Sequence, residues 1–294
     1  MIRPARRFAP TAAAMAVIGA LVLTSCAETG GGSVDELKDE GSIKVGFAGE
    51  EPYSFENDEG ELDGATIALH EEIFGEMGID EVDGQLTEWD SLIPGLNAGR
   101  YDVVSAGMSI LPERCEQADF SIPEIMYTTA FLVKKGNPMD LQDMQDVKDS
   151  GAKFAAMSGA IEDGYAKTMK IKTLNVGSPE DGLQAVKSGR ADVFALTAIS
   201  LRAMAEKNAD APIEVTEPFT AVVDGVEQVG AGATVFDKDA DELREAYNEE
   251  AEKIIGDPEE FKRVLGPYGF TEAERPKGDI TTEQLCAGDL PKAE

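Results

Sequence analysis

The sequence predicts an α/β protein made of two similarly built lobes, joined by a hinge and enclosing a ligand cleft, on three observations. The first is an internal echo: Leu96-Asn97-Ala98-Gly99-Arg100-Tyr101-Asp102-Val103-Val104 is answered by Ala185-Val186-Lys187-Ser188-Gly189-Arg190-Ala191-Asp192-Val193-Phe194. Each copy reads as a helix end, a glycine cap and a short apolar run, and such a run after an amphipathic helix marks a βαβ crossover in a parallel sheet. The second is a pair of extended segments flanking the later copy: residues 128–133 read as a strand leaving the first lobe, and residues 213–219 as the return. The third is material: 294 residues with 42% apolar side chains suffice for two modest cores.

Taken in order, Arg3, Arg6 and Arg7 precede an apolar run over residues 12–23 that is too short to span a bilayer, which is the layout of a secretory signal. The run ends in Leu23-Thr24-Ser25-Cys26. This resembles the lipobox of bacterial lipoproteins, and the resemblance implies removal of residues 1–25 and lipidation of Cys26, with the membrane reached only through that anchor. Residues 26–40, with Gly30-Gly31-Gly32, read as a flexible tether. The first lobe is expected over residues 41–132 and 219–294, and the second, inserted into it, over 133–218. A strand is expected at 42–47, where apolar and polar residues alternate between Gly41 and Gly49. A helix is expected at 65–77, closed by Gly78. In the second lobe Phe154-Ala155-Ala156 reads as a strand that turns through Met157-Ser158-Gly159-Ala160 into a helix near Ile161, and two further helices are expected at 239–255 and 258–265. Two crossings between lobes make a hinge, and hinged lobes bury a ligand by closing over it.

The formal charge of −31 excludes nucleic acid as a natural partner. An acidic surface suits either a saline habitat or plain colloidal repulsion. Of three cysteines, lipidation of Cys26 leaves Cys115 and Cys286 as an even pair in an oxidising compartment. A disulfide between them is predicted, stapling the C-terminal tail to the first lobe for about 2–4 kcal/mol. One histidine and no Cys-x-x-Cys pattern give no metal site, and no cofactor is expected. That histidine, His70, reads as a surface residue on the polar side of its helix.

The run Ser91-Leu92-Ile93-Pro94-Gly95-Leu96-Asn97-Ala98-Gly99-Arg100-Tyr101-Asp102, followed by Ala106-Gly107-Met108-Ser109-Ile110-Leu111-Pro112-Glu113-Arg114, resembles extracellular solute-binding proteins of family 3, the polar amino-acid receptors of ABC importers. The resemblance covers nearly all of the chain after the signal. It implies the two-lobed type II periplasmic-binding-protein fold, a monomer outside the cytoplasm, membrane permease subunits as partners, and binding in place of catalysis. Within the family, Pro112-Glu113-Arg114-Cys115, Ala195-Leu196-Thr197-Ala198-Ile199-Ser200-Leu201-Arg202, Tyr268-Gly269-Phe270-Thr271 and Thr281-Thr282-Glu283-Gln284-Leu285-Cys286 are similar to the ectoine and hydroxyectoine receptors.

The same resemblance supplies candidate ligand residues. Arg114, with Met108 and Ser109 in the loop before it, is the implied carboxylate anchor, and a planar guanidinium can hold a carboxylate by two parallel hydrogen bonds. Ser158, Gly159 and Ala160 precede a helix whose first amides favour an anion. Amino-acid receptors of the family place an aspartate against the ligand's α-ammonium where this chain has Thr197, and an ammonium buried without a counter-charge is costly. A delocalised cation, such as the cyclic amidinium of ectoine, is held instead by aromatic faces and one carboxylate. Glu50 would meet the ring nitrogens, with Tyr53 and Trp89 on either side. Ser109 departs from the pattern, because the ectoine receptors carry a third aromatic there. A smaller residue leaves room for hydroxyectoine, another cyclic zwitterion, or an amino acid whose ammonium bonds to Ser109. Two alternatives therefore stand beside ectoine: a polar amino acid as ligand, and an enzyme like the cyclohexadienyl dehydratases, in which Glu50 would be the general acid.

Overall fold

The computed structural model describes residues 33–290 and 292. The signal, Cys26 and residues 26–32 of the expected tether lie outside the described residues. The rest of that tether is not a flexible strand of chain. Val34–Glu40 is a helix closed at its start by a reciprocal capping box between Ser33 and Glu36, and Val34 and Leu37 are buried. The cap was legible in Ser-Val-Asp-Glu, but two apolar residues alone gave no visible helical period.

Two five-stranded paths form the frame. In the first, strands run in the order Glu81–Leu86, Ser42–Phe47, Val103–Ser109, Gly230–Phe236, Asp119–Phe120, with Ile125–Tyr127 also paired to Gly230–Phe236. In the second the order is Thr173–Val176, Phe154–Met157, Val193–Thr197, Thr129–Lys134, Ile213–Val215. In each, the first three strands are parallel and the fourth is antiparallel to the third. The two lobes are thus built alike.

The echo in the sequence has a structural cause. Asp102 accepts the Lys44 N–H through Oδ2 at 2.9 Å while its own N–H bonds the Lys44 carbonyl at 2.9 Å. Asp192 repeats both contacts with Lys153, each at 2.9 Å. In both lobes the aspartate fixes the register of the third strand against its parallel neighbour, and Gly99 and Gly189 turn the chain into it with φ of 65° and 76°.

Two expectations are corrected. Residues 128–133 do not belong to the first lobe's sheet: Thr129–Lys134 is hydrogen-bonded along its length to Val193–Thr197 and to Ile213–Val215 in the second. The two crossings are joined to each other where Thr129 and Phe219 exchange backbone hydrogen bonds of 3.0 and 2.8 Å. His70 is not on the surface but 0% exposed, its Nε2 2.7 Å from Thr234 Oγ1. Its helix, Ala65–Glu76, lies between the first sheet and the helices Asp241–Ile255 and Pro258–Leu265, so it has no solvated side where His70 stands. Burial holds His70 neutral, pulling its pKa to about 3.

Cys115 and Cys286 are joined by a disulfide. It fastens the helix Thr282–Ala287 against the short helix Pro112–Cys115, beside Arg114. Among the described residues no helix is long and apolar enough to cross a membrane.

Candidate functional site

Parallel strands end together at the face where the lobes meet, the position at which open α/β sheets bind ligands. Glu50 and Tyr53 follow Ser42–Phe47, Ser109 ends Val103–Ser109, Ala160 follows Phe154–Met157, and Thr197 ends Val193–Thr197. These side chains, with Trp89, Tyr127 and Glu162, enclose a narrow chamber. Arg114 lines a groove of about 570 Å³ next to it, and Trp89, Ala160 and Ile161 are walls of both.

A hydrogen-bond chain closes the chamber from lobe to lobe. Tyr53 donates to Thr197 Oγ1 at 3.1 Å, Thr197 donates to Ser200 Oγ at 3.0 Å, and Ser200 donates to Glu50 Oε1 at 2.7 Å. Tyr53 and Glu50 come from the first lobe, Thr197 and Ser200 from the second. A second latch runs through Gly159, whose carbonyl accepts from Arg114 Nη2 at 2.8 Å and from Trp89 Nε1 at 3.3 Å. The Arg114 guanidinium lies 5.6 Å over the Trp89 ring and also donates to the Ser109 carbonyl at 3.0 Å. Fixed by two carbonyls and one aromatic face, it retains further N–H donors for a carboxylate.

The helix start behaves differently from expectation. The Gly159 N–H is taken by Asp163 Oδ2 at 3.3 Å, and that carboxylate also binds Asn175 at 2.9 Å and Lys167 at 2.7 Å. Asp163 therefore occupies part of the anion position that the helix Ile161–Met169 would offer. Ser158 directs its N–H to the Val176 carbonyl at 3.0 Å and does not line the chamber or the groove. Met108 packs in the first lobe's core with Leu92 and Ile93 and reaches the groove, not the chamber.

Sequence reasoning missed two chamber residues. Tyr127, at the end of Ile125–Tyr127, is hydrogen-bonded to Ser109 Oγ and meets Tyr53 edge to face at 6.3 Å. It sets an aromatic ring beside the position where Ser109 lacks one. Glu162 is 1% exposed in the first turn of Ile161–Met169. The second lobe thus places an acid in the chamber from its helix start, while the Thr197 position holds a hydroxyl.

The chamber is electrostatically taut. Burial raises Glu50 to about 7 against the hydrogen bond from Ser200 that lowers it, and Glu50 is 5% exposed. Burial likewise raises Glu162 to about 7, with Glu50 adding to the rise and Arg114 opposing it. Arg114, 8% exposed, is itself lowered by burial. Two carboxylates and one guanidinium at this depth form an incomplete set of charges.

Residues 43–264 match the bacterial extracellular solute-binding proteins, family 3. The chain belongs to that family. This family 3 protein is 34% identical over 289 residues to a probable amino-acid ABC transporter periplasmic-binding protein of Sinorhizobium fredii, covering 96% of this chain and 95% of that one. Its fold is similar to that of EhuB in complex with hydroxyectoine, at 32% identity and a TM-score of 0.77 over 86% of this chain and 97% of that one. It is also similar to an ancestral amino acid-binding protein that is a precursor of cyclohexadienyl dehydratase, at 26% identity and a TM-score of 0.70 over 80% and 98%.

Proposed function

We propose that this protein is the receptor of an ABC importer and that it closes over a small zwitterion, with ectoine or hydroxyectoine as the preferred ligand. The observation that carries the reading is the arrangement of charge across one interlobe site: carboxylates and aromatic rings in the chamber, a guanidinium in the adjoining groove. A dipolar solute is its complement. The negative end would sit against the free donors of Arg114, and the positive end would enter the chamber between Tyr53, Trp89 and Tyr127, where ring faces attract a weakly hydrated cation. The likeness to EhuB supports the same choice. Binding transfers the ligand from water into a site of fixed dipoles, and closure follows because the ligand's contacts come from both lobes.

In this reading the protein works as a monomer held at the membrane by lipid on Cys26, presents the loaded, closed form to membrane permease subunits, and performs no chemistry on its ligand. A polar amino acid is the second reading, favoured by Glu162, which can meet an α-ammonium, and by the Sinorhizobium relative. Calorimetric titration with ectoine, hydroxyectoine, glutamine, arginine and glutamate separates the two, alongside the fluorescence of Trp89, the single tryptophan. Saturable binding of ectoine or hydroxyectoine at lower concentration than any amino acid is expected. Tighter binding of an amino acid would replace the first reading with the second, and turnover of prephenate or arogenate would make the protein an enzyme.

A further inference from the structure

Glu162 is a carboxylate that the fold has buried without completing its partners. Its carboxylate accepts from its own backbone N–H and from Thr129 Oγ1, the latter at a long 3.5 Å. The carboxylate lines the chamber opposite Glu50, which descends from the other lobe. The remaining titratable or charged groups set around it are Arg114, Tyr53, Tyr127 and Tyr165, and the three phenols are held neutral by burial. Its neighbour Asp163 is engaged elsewhere, with Lys167 and Asn175. A buried carboxylate costs free energy unless a cation or several donors satisfy it, and Glu124 in the first lobe gathers three donors on one oxygen while its Oε2 has none among the described residues. Glu124 Oε1 receives Ser121 at 2.7 Å, Tyr247 at 2.9 Å and the Thr234 amide at 3.1 Å. Glu162 gathers fewer donors and, unlike Glu124, faces the interlobe chamber.

We propose that Glu162 is a ligand-binding residue which, with Glu50, grips the ligand's positive group from opposite lobes, selecting solutes whose cation donates N–H bonds in two directions and rejecting solutes with a second carboxylate. This rests on the interlobe site assigned above but not on the identity of ectoine. A cyclic amidinium carries two N–H donors on opposite sides of one delocalised charge, and an α-ammonium carries three; both can bridge two acids. A dicarboxylate would bring its extra charge against the pair.

The test uses wild type, Glu162→Gln and Glu162→Asp, titrated calorimetrically with ectoine, hydroxyectoine, L-glutamine, L-arginine and L-glutamate. For whichever solute wild type binds best, Glu162→Gln weakens binding at least tenfold, Glu162→Asp restores part of it, and the ratio of that solute to L-glutamate narrows. Affinity within threefold of wild type in Glu162→Gln overturns the proposal. Binding of an amino acid but not ectoine refutes the ligand assignment while leaving Glu162 to be judged on that amino acid.

A ligand-free measurement covers the remaining case. An ordinary glutamate titrates at 4.5 and Glu162 is raised to about 7. Below 4.5 the folded and unfolded chains both hold the proton. Between 4.5 and about 7 only the folded chain keeps it, so stability falls across that window and stays low above it. Glu162→Gln should therefore raise Tm at pH 8 relative to its effect at pH 4.5. An equal or lower Tm at pH 8 would show that the carboxylate is satisfied by the framework, and would overturn the proposal.

Discussion

Replacing Arg114 with alanine removes a guanidinium that performs three tasks at once. It donates to the Ser109 carbonyl at 3.0 Å, crosses to the Gly159 carbonyl at 2.8 Å, and lies over Trp89 at 5.6 Å. In the proposed bound form its remaining donors face the ligand's carboxylate, and each charge-assisted hydrogen bond is worth about 1.5–3 kcal/mol. Loss of a two-bond grip therefore costs about 3–6 kcal/mol, or about 10²- to 10⁴-fold in Kd at 1.4 kcal/mol per decade. The Gly159 carbonyl keeps a second donor in Trp89 Nε1, so the ligand-free lobe framework suffers less than the bound site. Arg114→Lys should fall between, because it keeps the charge and loses the planar fork. The assay is calorimetric titration with the best solute of the panel, with circular dichroism and thermal melting to establish that the variant is folded. A folded Arg114→Ala whose Kd lies within threefold of wild type would refute the assignment of Arg114 as anchor, and with it the orientation of the ligand.

Thr197→Val leaves the buried Tyr53 hydroxyl without its acceptor only when the lobes are together, a penalty of about 1–3 kcal/mol on the closed form. Small-angle scattering should show a larger radius of gyration without ligand, and the Kd should rise about 5- to 100-fold; unchanged values of both would remove the latch. The Cys115→Ser/Cys286→Ser pair, or reduction of wild type, should lower Tm by about 5–15 °C, since the bridge is worth about 2–4 kcal/mol, and a scan showing no loss would leave the tail independently docked. Gly107→Ala should destabilise the protein and weaken binding together, because Gly107 has φ of 54° and a Cβ there would stand 2.7 Å from the Tyr53 ring; retention of wild-type Tm and Kd would contradict that geometry. Finally, Glu50 and Glu162 both titrate near 7, and a cationic group must displace whatever proton they hold. Affinity should fall by up to about tenfold per pH unit from pH 7 to 5 for one displaced proton, and a flat profile would show both acids already ionised.

How much of this was legible in the sequence differs by residue, for physical reasons. The paired lobes were visible because Gly-Arg-x-Asp-Val is local: a cap, a turn and an aspartate that bonds the neighbouring strand all lie within a few residues. Glu50, Tyr53, Trp89 and Arg114 were proposed through family resemblance; the first three line the chamber and Arg114 the adjoining groove. Glu162 was not found, because an acid beside Asp163 in a first helical turn looks like an ordinary favourable interaction with the helix dipole. Only the packing of the other lobe against it separates one acid from the other. Both are buried, but Asp163 is paired with Lys167 whereas Glu162 lines the chamber. Tyr127 was missed for a similar reason, since its ring is brought to Ser109 by pairing with the distant strand Gly230–Phe236. His70 failed in the opposite direction: polarity suggested a wet face where a second layer of helices covers the first.

The same distances suggest why ligand and closure belong to one event. The lobes already meet through Tyr53, Thr197, Ser200 and Glu50, and through Arg114, Trp89 and Gly159, so closure has hydrogen bonds of its own. What closure lacks is neutrality, because it brings Glu50 and Glu162 into one buried chamber, where burial raises both. An open form would leave each acid near water, where its charge is cheaply solvated. In the proposed function a cation would therefore stabilise the closed form by the repulsion it removes as well as by the bonds it makes, and a solute without one would gain no such difference between the two forms. Since a ligand shifts a two-state equilibrium only by its differential affinity for the states, the acids that make the closed form costly are also what makes closure selective.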